Sequence, residues 1–186
     1  MDNNNIPTKL TLIPRSEWGA RDPREIQDLV LPVPKVIIHH SLMGGNECHS
    51  VSDEFTLVKK IQDFHMDNEN RKWSDIGYSF LVGQSGTIFE GRGWHRVGAH
   101  SYGNNSVSVG ICLLGDFTDI LPPPEQLNSV KTLIEYGVEN CYIKDDYLLF
   151  GHRDVRNGTE CPGQLFYTKV LSTWLNKAVA KPDEIF

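Results

Sequence analysis

The chain has 186 residues, enough for one domain with short tails and too few for two full domains. Hydrophobic residues make up 39% and charged residues 23%, the balance of a globular protein with a packed core, which excludes a disordered or fibrous chain. Lys and Arg number 18 against 24 Asp and Glu, a net charge of -6 with no basic run, which argues against a nucleic-acid binder that tracks phosphates.

No apolar run approaches the roughly 20 residues needed to span a bilayer, and the start Met1-Asp2-Asn3-Asn4-Asn5 lacks the pattern of a secretory signal. We expect a flexible tail over 1–12, one domain over 13–178 and a short tail over 179–186. Val33 to Ile38, entered through prolines and ending in His39-His40, reads as a buried strand. Residues 53–66 place Phe55, Val58, Ile61, Phe64 and His65 at helical spacing, with Asp53 as cap or first-turn acid. Gly77 to Val82 and Thr87 to Glu90 flank Gly83-Gln84-Ser85-Gly86 and predict a hairpin.

Ser106 to Leu114 reads as a second buried strand. After Pro122-Pro123-Pro124, residues 125–140 carry Leu127, Val130, Leu133, Ile134 and Val138 on one helical face, with Pro124 suited to the first turn. Tyr147 to Phe150 predicts a short strand, and Leu165 to Val179 a last helix with Phe166, Val170, Leu171 and Trp174 inward. Strands interleaved with helices, plus a hairpin, predict a single α/β domain with a mixed central sheet flanked by helices.

Three residues form a candidate metal set: His39 at the end of one strand, His152 just after another, and Cys161 in Thr159-Glu160-Cys161-Pro162-Gly163. Zinc accepts imidazole nitrogen and thiolate sulfur in a tetrahedral shell, and a catalytic zinc keeps one position for water. Taken singly, each has a bland reading as a hydrogen-bonded strand-end histidine or a small buried thiol. A cysteine hydrolase with Cys161 as nucleophile and His152 as base is a weaker alternative, since no G-x-S-x-G elbow is present and the second histidine has no role in a dyad. His65 reads as a packed core histidine and His40 as facing opposite to His39.

Five ordered stretches decide between these readings: Val36-Ile37-Ile38-His39-His40-Ser41, Trp73 to Gly83, Gly91-Arg92-Gly93-Trp94, Gly151-His152-Arg153 and Thr159 to Gly163. Together they resemble the peptidoglycan recognition protein family, from about Ile13 to Trp174. That family is similar in fold to the zinc-dependent type-2 N-acetylmuramoyl-L-alanine amidases. Some members cleave peptidoglycan and others only bind it, and the division follows the metal ligands. The resemblance implies His39, His152 and Cys161 as zinc ligands and Tyr78 and Thr159 as catalytic residues, hence the amidase branch, a zinc hydrolase acting on the lactyl-L-alanine amide of peptidoglycan with a role in innate immunity. A non-catalytic peptidoglycan receptor is the alternative. Gly93-Trp94 implies a preference for the meso-diaminopimelate type, with Arg92 as a carboxylate contact and His100, in the neighbouring loop, as a further substrate contact. His95 is a weaker candidate in the same loop. The expected partner is a muropeptide, and the expected state is a monomer that touches neither nucleic acid nor membrane.

Three features depart from the family pattern. His152 and Cys161 are separated by one residue more than usual, with the extra residue at Asn157-Gly158, so either a bulged turn absorbs it or Thr159 and Cys161 are displaced. The family disulfide from the place of Cys48 cannot form, because Glu54 stands where its partner would be, and Cys48, Cys112 and Cys141 remain as an odd set. Asn104-Asn105-Ser106 and Asn157-Gly158-Thr159 are glycosylation acceptors only in a secreted protein. The resemblance implies an extracellular protein; these departures favour the cytoplasm as the alternative.

Overall fold

The structure is a computed structural model that describes residues 10, 12–44 and 50–179. In chain order it contains β1 (Leu12–Ile13), α1 (Arg15–Trp18), β2 (Val33–His40), α2 (Val51–Asp67), β3 (Phe80–Val82), β4 (Ile88–Glu90), β5 (Ser108–Leu113), α3 (Pro124–Glu139), β6 (Ile143–Gly151), α4 (His152–Val155) and α5 (Gln164–Lys169). Short 3-10 turns follow at Asn105–Val107 and Leu171–Thr173. The strands build one six-stranded sheet in the order β1-β4-β3-β5-β2-β6. β2 runs parallel to both β5 and β6, β3 parallel to β5 and β1 parallel to β4, while β3 and β4 form the antiparallel hairpin. This is the mixed α/β sheet that the sequence predicts.

Side-chain alternation along the strands splits the core into two layers. Val36, Ile38, Phe80, Val109 and Ile111 pack with Val130, Leu133 and Ile134 of α3. On the other face Leu81, Phe89 and Cys112 pack with Leu57, Val58 and Ile61 of α2. Each fully buried aliphatic side chain contributes about 1.5–3 kcal/mol relative to exposure, so these helical stripes fix both helices on the sheet. Pro124 opens α3 at its first turn as expected, and the cap of α2 is Ser50, which accepts from the Asp53 N–H, leaving Asp53 as a first-turn acid. Among the described residues, no helix is long and apolar enough to cross a membrane.

Two expectations need correction. Phe64 does not join the core: it is exposed, while Val58, Ile61 and His65 of the same stripe turn inward. The last helix ends at Lys169 instead of Val179. After a turn at Leu175 and Asn176 the chain lies along the edge of β6, which offers unpaired backbone groups: Leu149 N–H donates to the Asn176 carbonyl at 2.8 Å and Ala178 N–H to the Leu149 carbonyl at 2.8 Å.

Cys112, Cys141 and Cys161 are free thiols, whereas Cys48 lies outside the described residues. Glu54, where the resemblance leads one to expect a cysteine, is 1% exposed and accepts hydrogen bonds from the Ser85 N–H at 2.8 Å and the Ser85 hydroxyl at 2.7 Å. It ties α2 to the tip of the β3–β4 hairpin. Glu54→Ala leaves both donors without that acceptor and opens a void, so we expect a loss of about 2–4 kcal/mol in urea unfolding. A variant as stable as the parent would mean that the tie contributes nothing.

Candidate metal centre and cleft

Parallel strands bring their carboxyl ends to one edge of a sheet, and open α/β sheets present ligand groups there. His39 and His40 close β2, and Ile38 pairs with Gly151, so His152, the first residue of α4, arrives beside His39. Their rings lie 4.6 Å apart between centroids. Cys161 comes from the following loop, anchored where Arg153 N–H donates to the Cys161 carbonyl at 2.9 Å and where His40 N–H donates to Cys161 Sγ at 3.4 Å.

The three residues offer one donor atom each, all within 4.8 Å of one another, with Cys161 Sγ 3.8 Å from His39 Nδ1. Zinc bonds of roughly 2.0–2.3 Å in a tetrahedron separate ligand atoms by roughly 3.3–3.8 Å, so this set needs only a small contraction to hold a zinc ion. Protonation states suit a metal too. Burial, with the other histidines adding to it, pushes His39 well below the ordinary histidine value, and burial, helped by Arg156, holds His152 to about 4. Both imidazoles are neutral lone-pair donors at pH near 7. Burial pushes the Cys161 thiol up to about 12, so it stays protonated until a cation draws off its proton.

Tyr78 lies against this group, its ring 5.3 Å from that of His39. Burial, and then the neighbouring Cys112 and Cys161, raises its phenol well above 10, which keeps it a proton donor at neutral pH. Thr159 Oγ1 accepts from the Cys161 N–H at 3.2 Å, which leaves the Thr159 O–H free to donate. The segment between His152 and Cys161 bulges outward at Asn157-Gly158. Gly158 turns in the left-handed region at φ 78 with open space around its Cα, and Asn157 and Gly158 are both exposed. His152, Thr159 and Cys161 therefore meet.

All five residues line one cleft of about 760 Å³, together with His65, His100, Trp73 and Arg71. His100 enters it as expected. Arg92, Gly93 and Trp94 do not. Trp94 is 8% exposed and stacked on Tyr142 at 4.9 Å between ring centroids, with Phe80 on its other side, so its indole is spent in the core. Arg92 donates through Nε and Nη1 to the carbonyls of Ile76 and Val97, both at 2.7 Å. His95 is exposed against Tyr142, outside the cleft lining. The aromatic wall comes from Trp73 instead, which packs on His65 at 4.6 Å, with Arg71 4.9 Å above both Trp73 and Phe64. From the sequence alone neither residue has a role in the cleft, and the signal that could have found them is an indole in a polar loop, Asn68 to Ser74. His40 faces away from His39 and accepts from the Phe117 N–H at 3.3 Å. His65 accepts from the Gly77 N–H at 3.0 Å, as a core histidine should. Of the two glycosylation acceptors, Asn104 is 1% exposed and accepts from Lys35 Nζ at 3.0 Å, while Asn157 is exposed.

A family model described as N-acetylmuramoyl-L-alanine amidase matches residues 30–164. The chain is 45% identical over 163 residues to peptidoglycan-recognition protein LB of Drosophila melanogaster, covering 88% of this chain and 68% of that protein. It is 42% identical over 171 residues to peptidoglycan-recognition protein LE of the same organism, covering 91% of this chain and spanning about half, 48%, of that relative. The fold superposes on the wild-type LB structure with a TM-score of 0.86 at 43% identity, covering 92% of this chain and 98% of that one. On a crystal structure of recognition protein LE in complex with tracheal cytotoxin, a monomeric diaminopimelic acid-type peptidoglycan, the TM-score is 0.85 at 40% identity, with 91% and 96% covered.

The buried histidines make stability depend on pH. His65 and His100 are depressed by burial to about 3, against 6.5 for an ordinary histidine. Between those values the unfolded chain binds more protons than the folded one, so stability is fully present above the ordinary value and is lost as pH falls toward the folded one. Each group contributes a slope of up to about 1.4 kcal/mol per pH unit. The metal-free protein should show a Tm that falls continuously from about pH 6.5 to about pH 4. A flat Tm across that window would contradict the neutral buried state.

Proposed function

This chain belongs to the peptidoglycan recognition protein family, and from that premise we propose that it is a zinc-dependent N-acetylmuramoyl-L-alanine amidase that cleaves the lactyl-L-alanine amide of diaminopimelate-type peptidoglycan. The observation that carries this reading is the convergence of His39, His152 and Cys161, donor atoms within 4.8 Å, on the floor of a cleft. Those residues would hold the ion. When bound, zinc lowers the pKa of a water from 15.7 to about 7 and polarises a carbonyl, the two things that hydrolysis of a stable amide requires.

The protein's own groups do the rest. Tyr78 keeps its proton and donates to the oxygen on which negative charge develops. The Thr159 hydroxyl, its oxygen already engaged by the Cys161 N–H, offers a second donor to the same region. The walls exclude water and grip the peptide: Trp73 supplies a flat apolar face, and Arg71 and Arg156 place positive charge along a cleft in a chain of net charge -6. An anionic muropeptide is therefore drawn by local groups and not by the overall field. Similarity to a relative crystallised with a diaminopimelic acid-type muropeptide supports the substrate class. Arg92 remains our candidate for a substrate carboxylate only through the part of its guanidinium that the two carbonyls leave unused. Hydrolysis would remove the ligand that pattern recognition reads, which gives the enzyme a damping role in innate immunity.

Cys161→Ser should lose stoichiometric zinc and all release of stem peptide, read by metal analysis and by mass spectrometry of digested muropeptides. Tyr78→Phe should keep its zinc and lower kcat by about 10²–10³ with little change in KM, the usual effect of losing one donor to a developing oxyanion. Protein with full zinc and no hydrolysis of any muropeptide would instead identify a receptor.

A further inference from the structure

Metal-binding histidines are oriented by what their second nitrogen touches, and here that group can be read directly. His39 turns Nδ1 toward Cys161 Sγ, at 3.8 Å, and Nε2 toward His100 Nδ1, at 3.0 Å. The two rings meet edge to face, at 81° with centroids 5.0 Å apart. We infer that His100 is a positioning residue for the metal centre, fixing the ring orientation and tautomer of His39 so that Nδ1 presents its lone pair beside His152 and Cys161. This rests on the zinc reading proposed above and assigns His100 a role other than substrate contact.

The direction of the hydrogen bond follows from valence. A neutral imidazole that gives the Nδ1 lone pair to a metal carries its proton on Nε2, so His39 donates and His100 Nδ1 accepts. His100 then carries its own proton on Nε2, a buried atom with no hydrogen-bond partner among the described residues. Such an orphan costs about 1–3 kcal/mol, and the fold nonetheless holds the ring in this place.

Three features hold it. His100 is 7% exposed, and its N–H donates to Asn105 Oδ1 at 2.9 Å. Its ring occupies space that two glycines leave empty: a Cβ at Gly110 would come within 2.4 Å of it and one at Gly98 within 2.5 Å. Gly110 is paired with Ile37, two residues before His39 on the same strand, so the sheet register that delivers the ligand also delivers the clearance for the group that orients it. A side chain serving only as a substrate contact needs neither the clearance nor the bond to His39.

The test is zinc affinity, measured by competition with a chromophoric chelator on the purified full chain. His100→Phe removes the acceptor and should weaken zinc binding by about 10–100-fold. His100→Asn places an acceptor near the Nδ1 position and should stay within about threefold of wild type, a rescue that the Phe variant cannot give. Wild-type affinity in a folded His100→Phe protein, or equal weakening in both variants, would overturn the inference, the second by pointing to packing alone. Long-range proton–nitrogen NMR spectra of the zinc-loaded wild-type protein need no variant to fold: the inference expects a protonated Nε2 on His39 and a bare Nδ1 on His100, and a protonated His100 Nδ1 overturns it. Cys161→Ser is assayed in parallel. A wild-type chain that binds no zinc defeats the metal reading itself, whereas zinc binding that is lost in Cys161→Ser and indifferent to His100 defeats this inference alone.

Discussion

The parallel pairing of β2 with β5 on one side and β6 on the other is the constraint on which the site depends. One register sets Ile38 against Gly151 and so brings the start of α4, with His152, to His39; the other sets Ile37 against Gly110 and makes room for His100. A slip of one residue in β2 would exchange the faces of His39 and His40 and bury the second in the first one's place. The apolar set Val36, Ile38, Val109 and Ile111 forbids that slip, because it would turn the core residues out of the α3 layer at the same time. Core packing and ligand placement are therefore one specification.

Desolvation is the second layer of the design. Placed dry at the sheet edge, the imidazoles stay neutral, Tyr78 stays a phenol and Cys161 stays a thiol. Without a cation this cluster is a set of polar atoms with little solvent, which is costly; with one, each lone pair and the thiolate gain a partner. That is the physical reason to read a metal centre in residues that would each, alone, be ordinary buried polar groups.

Much of this was legible in the sequence, and the failures have definite causes. The helices and the hairpin follow from periodicity and turn residues, and the three residues whose donor atoms converge, His39, His152 and Cys161, stand in the wording of the five motifs. Periodicity could not tell that Phe64, on a helical stripe with Ile61 and His65, looks out over the cleft, since a cleft wall and a core face present the same spacing. The glycine-tryptophan pair at 93–94 lies outside the cleft lining: two loops each carry a tryptophan, and the fold gives Trp94 the core partners Phe80 and Tyr142 while Trp73 lines the cleft. The helix expected to reach Val179 ends at Lys169, and past Trp174 the chain pairs with the free edge of β6 instead of continuing as a helix. His100 was legible as a cleft residue, but its bond to His39 spans 61 positions and has no local signature.

Loop placement around the candidate metal set rests on buried polar ties. Glu54 fastens α2 to the hairpin tip, and the Ser85 hydroxyl that it receives also touches Thr87 at 2.9 Å. At the opposite end Asp154, two residues past His152, takes a hydrogen bond from the Gly151 N–H at 2.7 Å, another from the Tyr167 hydroxyl and an ion pair from Lys177 at 2.8 Å, the two charged side chains nearly free of solvent. Breaking one partner of a buried pair is strongly destabilising because the other charge is left unmatched, whereas the intact pair adds little net stability. Such ties therefore act as position markers more than as sources of stability. The Asp154–Lys177 pair holds the extended C-terminal segment against α4, so that the turn carrying His152 is braced from behind while its front faces the metal set. A thiol-free bracing of this kind does not depend on the redox state of the surroundings, and Cys161 is the cysteine that meets His39 and His152 in the cleft.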